Sequence, residues 1–373
     1  MNVPGPALAA LTDAGGVLIV GTGLIGASIG LALTTRKVPV RLQDSSPAAQ
    51  ALARDIGAGE LASPGASAPA LVIVAAPPDV SADLVVQALA DYPEAAVIDV
   101  ASVKGLIEDE LQASGADLSR YLGTHPMAGR ERHGAAAADA DLFAGRPWVL
   151  TPAQTAVSVL SLVQGLVLEL GASVIRMTAT EHDRAVALVS HLPQLLSSLV
   201  AARLVDAPEE SLSLAGQGVR DVTRIAASDP RLWAAILVGN AEPVRAVLAD
   251  LRTDLDALLT ALELAAHDPL ATGAMSGITG ALAAGNTGVA RIPGKHGGAA
   301  RNYAAITVLV PDQPGELGRL FSEVGDIGVN IEDFHMEHSP QQKVGMATVS
   351  VVPAAASSLV SELERRGWVV VVE

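Results

Sequence analysis

The stretch Val17-Leu18-Ile19-Val20-Gly21-Thr22-Gly23-Leu24-Ile25-Gly26-Ala27-Ser28 constrains this chain more than any other. Val17 to Val20 are an apolar, largely β-branched run of the kind that forms a buried parallel strand, and Gly21, Gly23 and Gly26 follow at G-x-G-x-x-G spacing. Each glycine has its own task. Gly21 permits the tight turn, Gly23 lets the backbone approach a pyrophosphate, and Gly26 lets the next helix pack close to the strand. That helix, expected over residues 24–34 and opening with Leu24 and Ile25, aims its free N–H groups at the phosphates. The following strand, residues 40–42, ends near Asp44, where a carboxylate holds the ribose 2′-hydroxyl of NAD and repels a 2′-phosphate. Arg36, Lys37 and Arg41 are the nearby cations that pull the other way, toward NADP. NAD is the expected cofactor.

Short apolar runs alternate with helical segments after this unit. Residues 71–75 run into Pro77-Pro78, and residues 96–100 into Ser102-Val103-Lys104. This is the β-α-β pattern of a doubly wound parallel sheet, whose ligands sit beyond the carboxyl ends of the strands, on the side of Pro77, Ser102 and Lys104. Gly123 to Gly129 and Arg146 to Leu150 read as loop and strand, residues 155–170 as a long apolar helix, and residues 173–177 as a last edge strand.

From Thr180 the character changes. Residues 182–204, 210–226, 230–239 and 241–265 have helical length and period, and so much apolar helix surface is expected to be covered by a second copy in a homodimer. Gly273 to Gly298 is glycine-rich and reads as a linker. Beyond it, strand and helix signals follow the order β-α-β-β-α-β of the ferredoxin-like fold. The expected domains are a Rossmann-like unit over residues 1–178, an all-helical unit over 179–285, a linker over 286–301 and a ferredoxin-like unit over 302–373.

Composition narrows the partners. A formal charge of −16 with no Lys or Arg block argues against nucleic acid and anionic membranes, so an anionic substrate has to be met by a few local arginines. The chain has no cysteine, which excludes disulfides, thiolate metal sites and a cysteine nucleophile. The eight histidines are dispersed and no metal is expected. No basic segment leads into a long apolar run at the N-terminus, and a cytoplasmic protein is expected.

The motifs, taken in order, resemble those of the prephenate/arogenate dehydrogenases of tyrosine biosynthesis with a C-terminal ACT domain. Gly21 to Ser28 is similar to that family's cofactor loop, Ser102-Val103-Lys104 to its serine-containing loop, and Gly123 to Gly129 to its histidine motif. Ser190-His191-Leu192-Pro193 resembles the start of its helical substrate motif, and Arg220 to Arg224 with Asp229 to Trp233 its arginine-bearing segment. The resemblance implies NAD-dependent oxidative decarboxylation of prephenate to 4-hydroxyphenylpyruvate, or of arogenate to tyrosine.

Within that resemblance His125 is the expected proton acceptor for the C4 hydroxyl, with Ser102 as its partner or, on its own, as a helix cap. Arg224 is the expected grip on the ring carboxylate, because a guanidinium binds a carboxylate in bidentate fashion and stays charged when water is excluded. Arg220 is a second anion contact or a surface ion-pair partner, and Asp221 and Glu131 are the acids available to orient the arginines. His191 is expected on the substrate side chain. Gln194 stands where many relatives carry a second histidine, which bears on prephenate against arogenate. Trp233 either walls the pocket or belongs to the core. In the terminal unit Asp312, Pro314, Gly315, Asn330 and Ile331 match the ligand region of ACT domains, which makes tyrosine or another amino acid the expected effector. Two other readings compete. A β-hydroxyacid or imino-acid reductase normally places a lysine in its second domain, and residues 180–265 contain none. A sensor of NAD and amino acids would bind cofactor without turnover.

Overall fold

The apolar runs become one eight-stranded sheet in the computed structural model, which describes residues 5–63, 65–129, 134–293, 303–338 and 344–371. Its strands are β1 (Val17–Val20), β2 (Val40–Gln43), β3 (Glu60–Leu61), β4 (Leu71–Val74), β5 (Ala96–Asp99), β6 (Tyr121–Pro126), β7 (Pro147–Thr151) and β8 (Ser173–Arg176). They lie in the order β3-β2-β1-β4-β5-β6-β7-β8. Within this sheet, among the described residues, only β6 and β7 pair antiparallel. The chain leaves β1 toward β2 on one side and returns as β4 on the other, and this switch of direction opens a crevice at the carboxyl ends of β1 and β4.

Burial explains the strand sequences. Every residue of β4 and β5 is buried, as expected of strands covered on both faces. With few aromatic side chains available, the core on one face is aliphatic apart from Phe143 against Trp148, their rings 5.0 Å apart. The lead-in before β1 contains a helix, Pro6–Asp13, whose first N–H groups are capped by the Glu169 carboxylate at 2.9 Å (Ala7) and 3.2 Å (Leu8).

The chain divides into two units, residues 1–207 with 222–250, and residues 208–221 with 251–373. The first carries the sheet and the start of the helical region. There the single helix expected over residues 182–204 is an α-helix Ala179–Val186, a π turn Ala187–His191 and an α-helix Leu192–Ala202. By length and composition this run could cross a membrane. Its buried polar residues, His182, Asp183, His191, Gln194 and Ser197, instead mark a helix with its polar side turned into protein.

Two further expectations are corrected. The helix expected over 210–226 is broken, with Glu209–Leu212 and Gln217–Thr223 separated by a turn at Ser213-Leu214. The glycine-rich stretch expected as a linker contains a helix, Ala274–Val289. One of its glycines serves close packing: a Cβ on Gly277 would lie 2.8 Å from the Cβ of Ala261 on the helix Ala241–His267. The rest of the second unit is a four-stranded sheet, β9 (Ala304–Pro311), β10 (Asp333–His338), β11 (Val344–Val351) and β12 (Val369–Val371), in the order β10-β11-β9-β12. Helices Glu316–Asp326 and Pro353–Arg365 complete the β-α-β-β-α-β order and cover its core of Ile306, Val308, Leu320, Val349 and Leu359.

Candidate active site

The glycine turn after β1 is built to leave room. Gly21 has φ +100°, and a Cβ there would lie 2.2 Å from the carbonyl oxygen of Ala75. A Cβ on Gly26 would lie 2.0 Å from the oxygen of Gly21, so Gly26 holds the helix Leu24–Thr35 against the turn. Around Gly23 no atom lies within 4 Å of such a Cβ. The bare backbone there faces open space at a helix N-terminus, a cradle suited to a pyrophosphate.

Asp44 stands at the end of β2 beside this cradle. Its Oδ2 accepts from the Thr22 N–H at 2.6 Å and the Thr22 hydroxyl at 2.8 Å, and its Oδ1 from the Ser46 N–H at 2.8 Å. Partial burial alone would raise its pKa, but these hydrogen bonds outweigh burial and hold the carboxyl below its ordinary value. Of the cations that weighed toward NADP, the two arginines are engaged elsewhere, Arg41 donating to the carbonyls of Ser67 and Gly15 and Arg36 to that of Ala32, while Lys37 is exposed. A carboxylate at the ribose position with neighbouring arginines turned to backbone carbonyls fits NAD.

The crevice opens into a cavity of about 1730 Å³, above the ~300–1,000 Å³ usual for one small ligand. Gly21, Gly23, Leu24, Ile25, Asp44 and Pro77 line the cofactor end, and Ser102, His125, His191, Gln194, Arg224 and Trp233 line the rest. Room for a dinucleotide and a second molecule thus exists in one space. Pro77 occupies the N-cap position of the helix Pro78–Asp91 without a side-chain cap, and Ser102 lines the cavity half-buried and does not cap the helix after it.

His125 lies near the end of β6, partly open to the cavity. Its Nδ1 is 2.8 Å from Nε2 of His182, so this nitrogen is engaged by a second histidine, where Ser102 was the expected partner. Burial, then the charges of His182, Lys104 and His191, push its pKa well below 6.5 and keep the ring neutral at physiological pH. Behind it a buried polar cluster fixes the strand ends. Lys104 is ion-paired with Asp99 and donates to the Thr124 carbonyl at 2.8 Å, while the Tyr121 hydroxyl donates to Asp99 at 2.6 Å. Burial pulls the Lys104 ammonium down against the attraction of Asp99 and Asp183. Burial and Asp99 push the Tyr121 phenol well above its ordinary value, so it remains a donor.

His191 ends the π turn. Positions nine apart on an α-helix point to opposite sides, but the extra residue of a π turn brings His191 back by about 100° toward His182 and Asp183. Asn240 bridges them: its Nδ2 donates to the Asp183 carbonyl at 2.8 Å and lies 3.1 Å from Nδ1 of His191. Nδ1 of His191 is then an acceptor and Nε2 carries the proton. Burial lowers this pKa to about 4 despite the attraction of Asp183, so His191 is a neutral donor. Trp233 meets its ring edge-on at 5.9 Å and also packs on the buried cluster that includes Val103, Ile107 and Ile236, so it is wall and core together.

Gln194 is buried, its Nε2 donating to the Ile225 carbonyl at 3.0 Å. It ties down the 3-10 turn Arg224–Ala227, which brings Arg224 to the cavity. Arg220 falls in the second unit, where Asp221 accepts from Gln217 at 2.8 Å. Glu131 lies outside the described residues. In the terminal sheet Gly315 adopts φ +93° before the helix Glu316–Asp326, Asp312 and Pro314 are exposed beside it, Asn330 donates to Glu332 at 2.8 Å, and Ile331 packs on the core. His182, Asp183 and Asn240 were not singled out from the sequence. The available signal was polar residues set into an apolar helical run.

Two families match the chain: the prephenate dehydrogenase nucleotide-binding domain over residues 29–176, and the prephenate dehydrogenase dimerization domain over residues 178–274. A probable prephenate dehydrogenase, NovF, of Streptomyces niveus is 37% identical over 94% of this chain and 98% of its own length. The prephenate dehydrogenase of Lactococcus lactis is 30% identical over 86% of this chain and 91% of its own. Among solved structures, the prephenate dehydrogenase of Aquifex aeolicus in complex with hydroxyphenyl propionate and NAD+ superposes with a TM-score of 0.64 at 26% identity, covering 73% of this chain and 96% of that one. An arogenate dehydrogenase of Synechocystis gives 0.60 at 26% identity, covering 73% and 98%.

Proposed function

The chain belongs to the prephenate dehydrogenase family, and from that premise we propose that it oxidises prephenate with NAD, releasing carbon dioxide and 4-hydroxyphenylpyruvate. The observation that carries this reading is a neutral histidine, His125, facing the same cavity as the glycine cradle and Arg224. Gly21, Gly23, Gly26 and Asp44 would hold NAD, which would supply the hydride acceptor for C4.

The residues supply the rest. His125 accepts the C4 hydroxyl proton as the carbonyl forms, a task that needs an unprotonated imidazole within hydrogen-bond reach. Arg224 holds the ring carboxylate in place until its C–C bond breaks. The bonding pair then flows into the ring, which becomes aromatic, and the resulting phenolate takes its proton back from His125. Atoms and charge balance without a further reactant. Ser102, which lines the same cavity, orients the hydroxyl.

His191 supports the keto acid over arogenate. A neutral N–H donor suits a keto oxygen or a carboxylate, whereas the ammonium group of arogenate requires an acceptor. Gln194 acts through the Arg224 turn. We assign residues 1–178 to cofactor binding, 179–285 to substrate binding and pairing of two copies, and the sheet of 302–373 to an ACT-type effector unit, with the exposed Asp312–Gly315 loop and Asn330-Ile331 as its ligand region and tyrosine as the feedback effector. The test is NADH formation by the purified chain with prephenate and with arogenate, each with NAD or NADP and with or without tyrosine. The expected result is turnover with prephenate and NAD; preference for arogenate reverses the role given to His191, and silence with both substrates removes the reading.

A further inference from the structure

The buried pair His182 and Asp183 has no part in the chemistry above, yet it continues the line of His125 into the protein. Asp183 Oδ1 lies 2.8 Å from Nδ1 of His182 and accepts the Lys104 N–H at 2.9 Å, while Oδ2 accepts the Gly105 N–H at 2.7 Å. These two N–H groups open the helix Gly105–Ser114, whose positive end favours a carboxylate. The fit is close: a Cβ on Gly105 would lie 2.8 Å from Asp183 Oδ2.

Proton positions follow from this arrangement. A carboxylate only accepts, so Nδ1 of His182 carries a proton and its Nε2 bears the lone pair. That lone pair, 2.8 Å from Nδ1 of His125, makes His125 Nδ1 an N–H donor. Nε2 of His125 is left as the base. A desolvated ring beside Lys104 takes a proton poorly by itself, which is the difficulty the inner pair resolves.

We propose that His182 and Asp183 are positioning residues that hold His125 with its basic nitrogen free and share the proton it receives. As the C4 hydroxyl proton bonds to Nε2 of His125, the proton on Nδ1 of His125 moves to Nε2 of His182, and the resulting imidazolium is held by the Asp183 carboxylate. Both transfers reverse when the phenolate reclaims its proton, so the relay ends each turnover as it began. What His125 does rests on the prephenate reading; the hydrogen bonds and tautomers do not. The other ionisable groups around the relay are Lys104 with its partner Asp99, His191 across Asn240, and Glu108 on the helix that Asp183 caps.

Two measurements test this on the full chain. In the ligand-free protein, long-range 15N–1H NMR of the histidine rings is expected to show His125 and His182 both protonated at Nδ1; an Nε2-protonated His125 overturns the proposal whether or not prephenate is the substrate. In turnover, His182→Gln keeps an acceptor for His125 but cannot be protonated. It is expected to lower kcat by roughly 10–100-fold, with KM for prephenate and NAD within about twofold, and to move the acid limb of kcat/KM to lower pH. An unmoved acid limb with kcat within about twofold of the parent overturns it. Asp183→Asn is expected to shift the limb in the same direction; because it also caps a helix, thermal unfolding of both variants is measured alongside. Absence of turnover in the unsubstituted chain would instead count against the prephenate reading.

Discussion

The two ends of the cavity are made of different material. The cofactor end is backbone: a left-handed turn at Gly21, bare space at Gly23 and N–H groups at a helix start. The substrate end is side chains brought from β6, the π turn and the Arg224 turn, several of them buried and neutral. Backbone recognition suits a cofactor whose pyrophosphate carries a fixed charge. Proton transfer needs groups whose charge can change, and those are affordable inside a protein only when a partner is in place. The first end is therefore sensitive to added atoms and the second to altered protonation.

The largest effect expected from this contrast is at His125. His125→Asn removes the base without a large change in shape and is expected to lower kcat by about 10²–10⁴-fold, with KM nearly unchanged, in steady-state NADH assays. Arg224→Ala tests the other substrate-end contact and is expected to raise KM for prephenate by about 10–100-fold, the loss of a charge-assisted pair. Equal, small effects from both variants would break the assignment of the side-chain end.

At the backbone end, the comparison sharpens between neighbouring glycines. Gly21→Ala puts a Cβ 2.2 Å from a carbonyl oxygen at φ +100° and is expected to destabilise the fold by several kcal/mol, roughly 3. Gly23→Ala meets nothing within 4 Å and is expected to fold normally while weakening NAD about tenfold, read by calorimetric titration. Identical behaviour of the two would show that the open space at Gly23 is not the cofactor's.

The side-chain end also sets how stability depends on pH. His191 has a folded-state pKa of about 4 against an ordinary 6.5, so the unfolded chain binds a proton in that interval that the folded one does not. Stability is expected to be full above pH ~6.5 and to fall by about 2–3 kcal/mol on acidification to pH ~4. His191→Leu, which cannot take a proton, should flatten that part of the curve in urea titrations.

The backbone end was legible in the sequence because a motif contiguous in the chain produces it: Val17 to Gly26 carry strand, turn and helix start in ten adjacent residues. The ferredoxin-like unit was legible for a similar reason, its strands and helices following one another with clear period. The side-chain end was legible only as single residues. His125, His191 and Arg224 could be picked out by resemblance, but nothing local reveals that His182 stands behind His125. That is a contact between residues 57 apart in the chain; His191 comes round toward the pair only through a π turn, and a one-residue insertion in helical register leaves no compositional mark. The helix at residues 274–289 was misread because glycine content signals flexibility when seen alone, while at Gly277 it permits close packing on Ala261.

The most direct test is to supply the purified chain with prephenate and NAD and to follow NADH and carbon dioxide together. One carbon dioxide for each NADH is the expected result, since hydride loss and decarboxylation belong to the same passage through the His125 and Arg224 site. NADH without carbon dioxide, or neither product from folded protein that binds NAD, would contradict it.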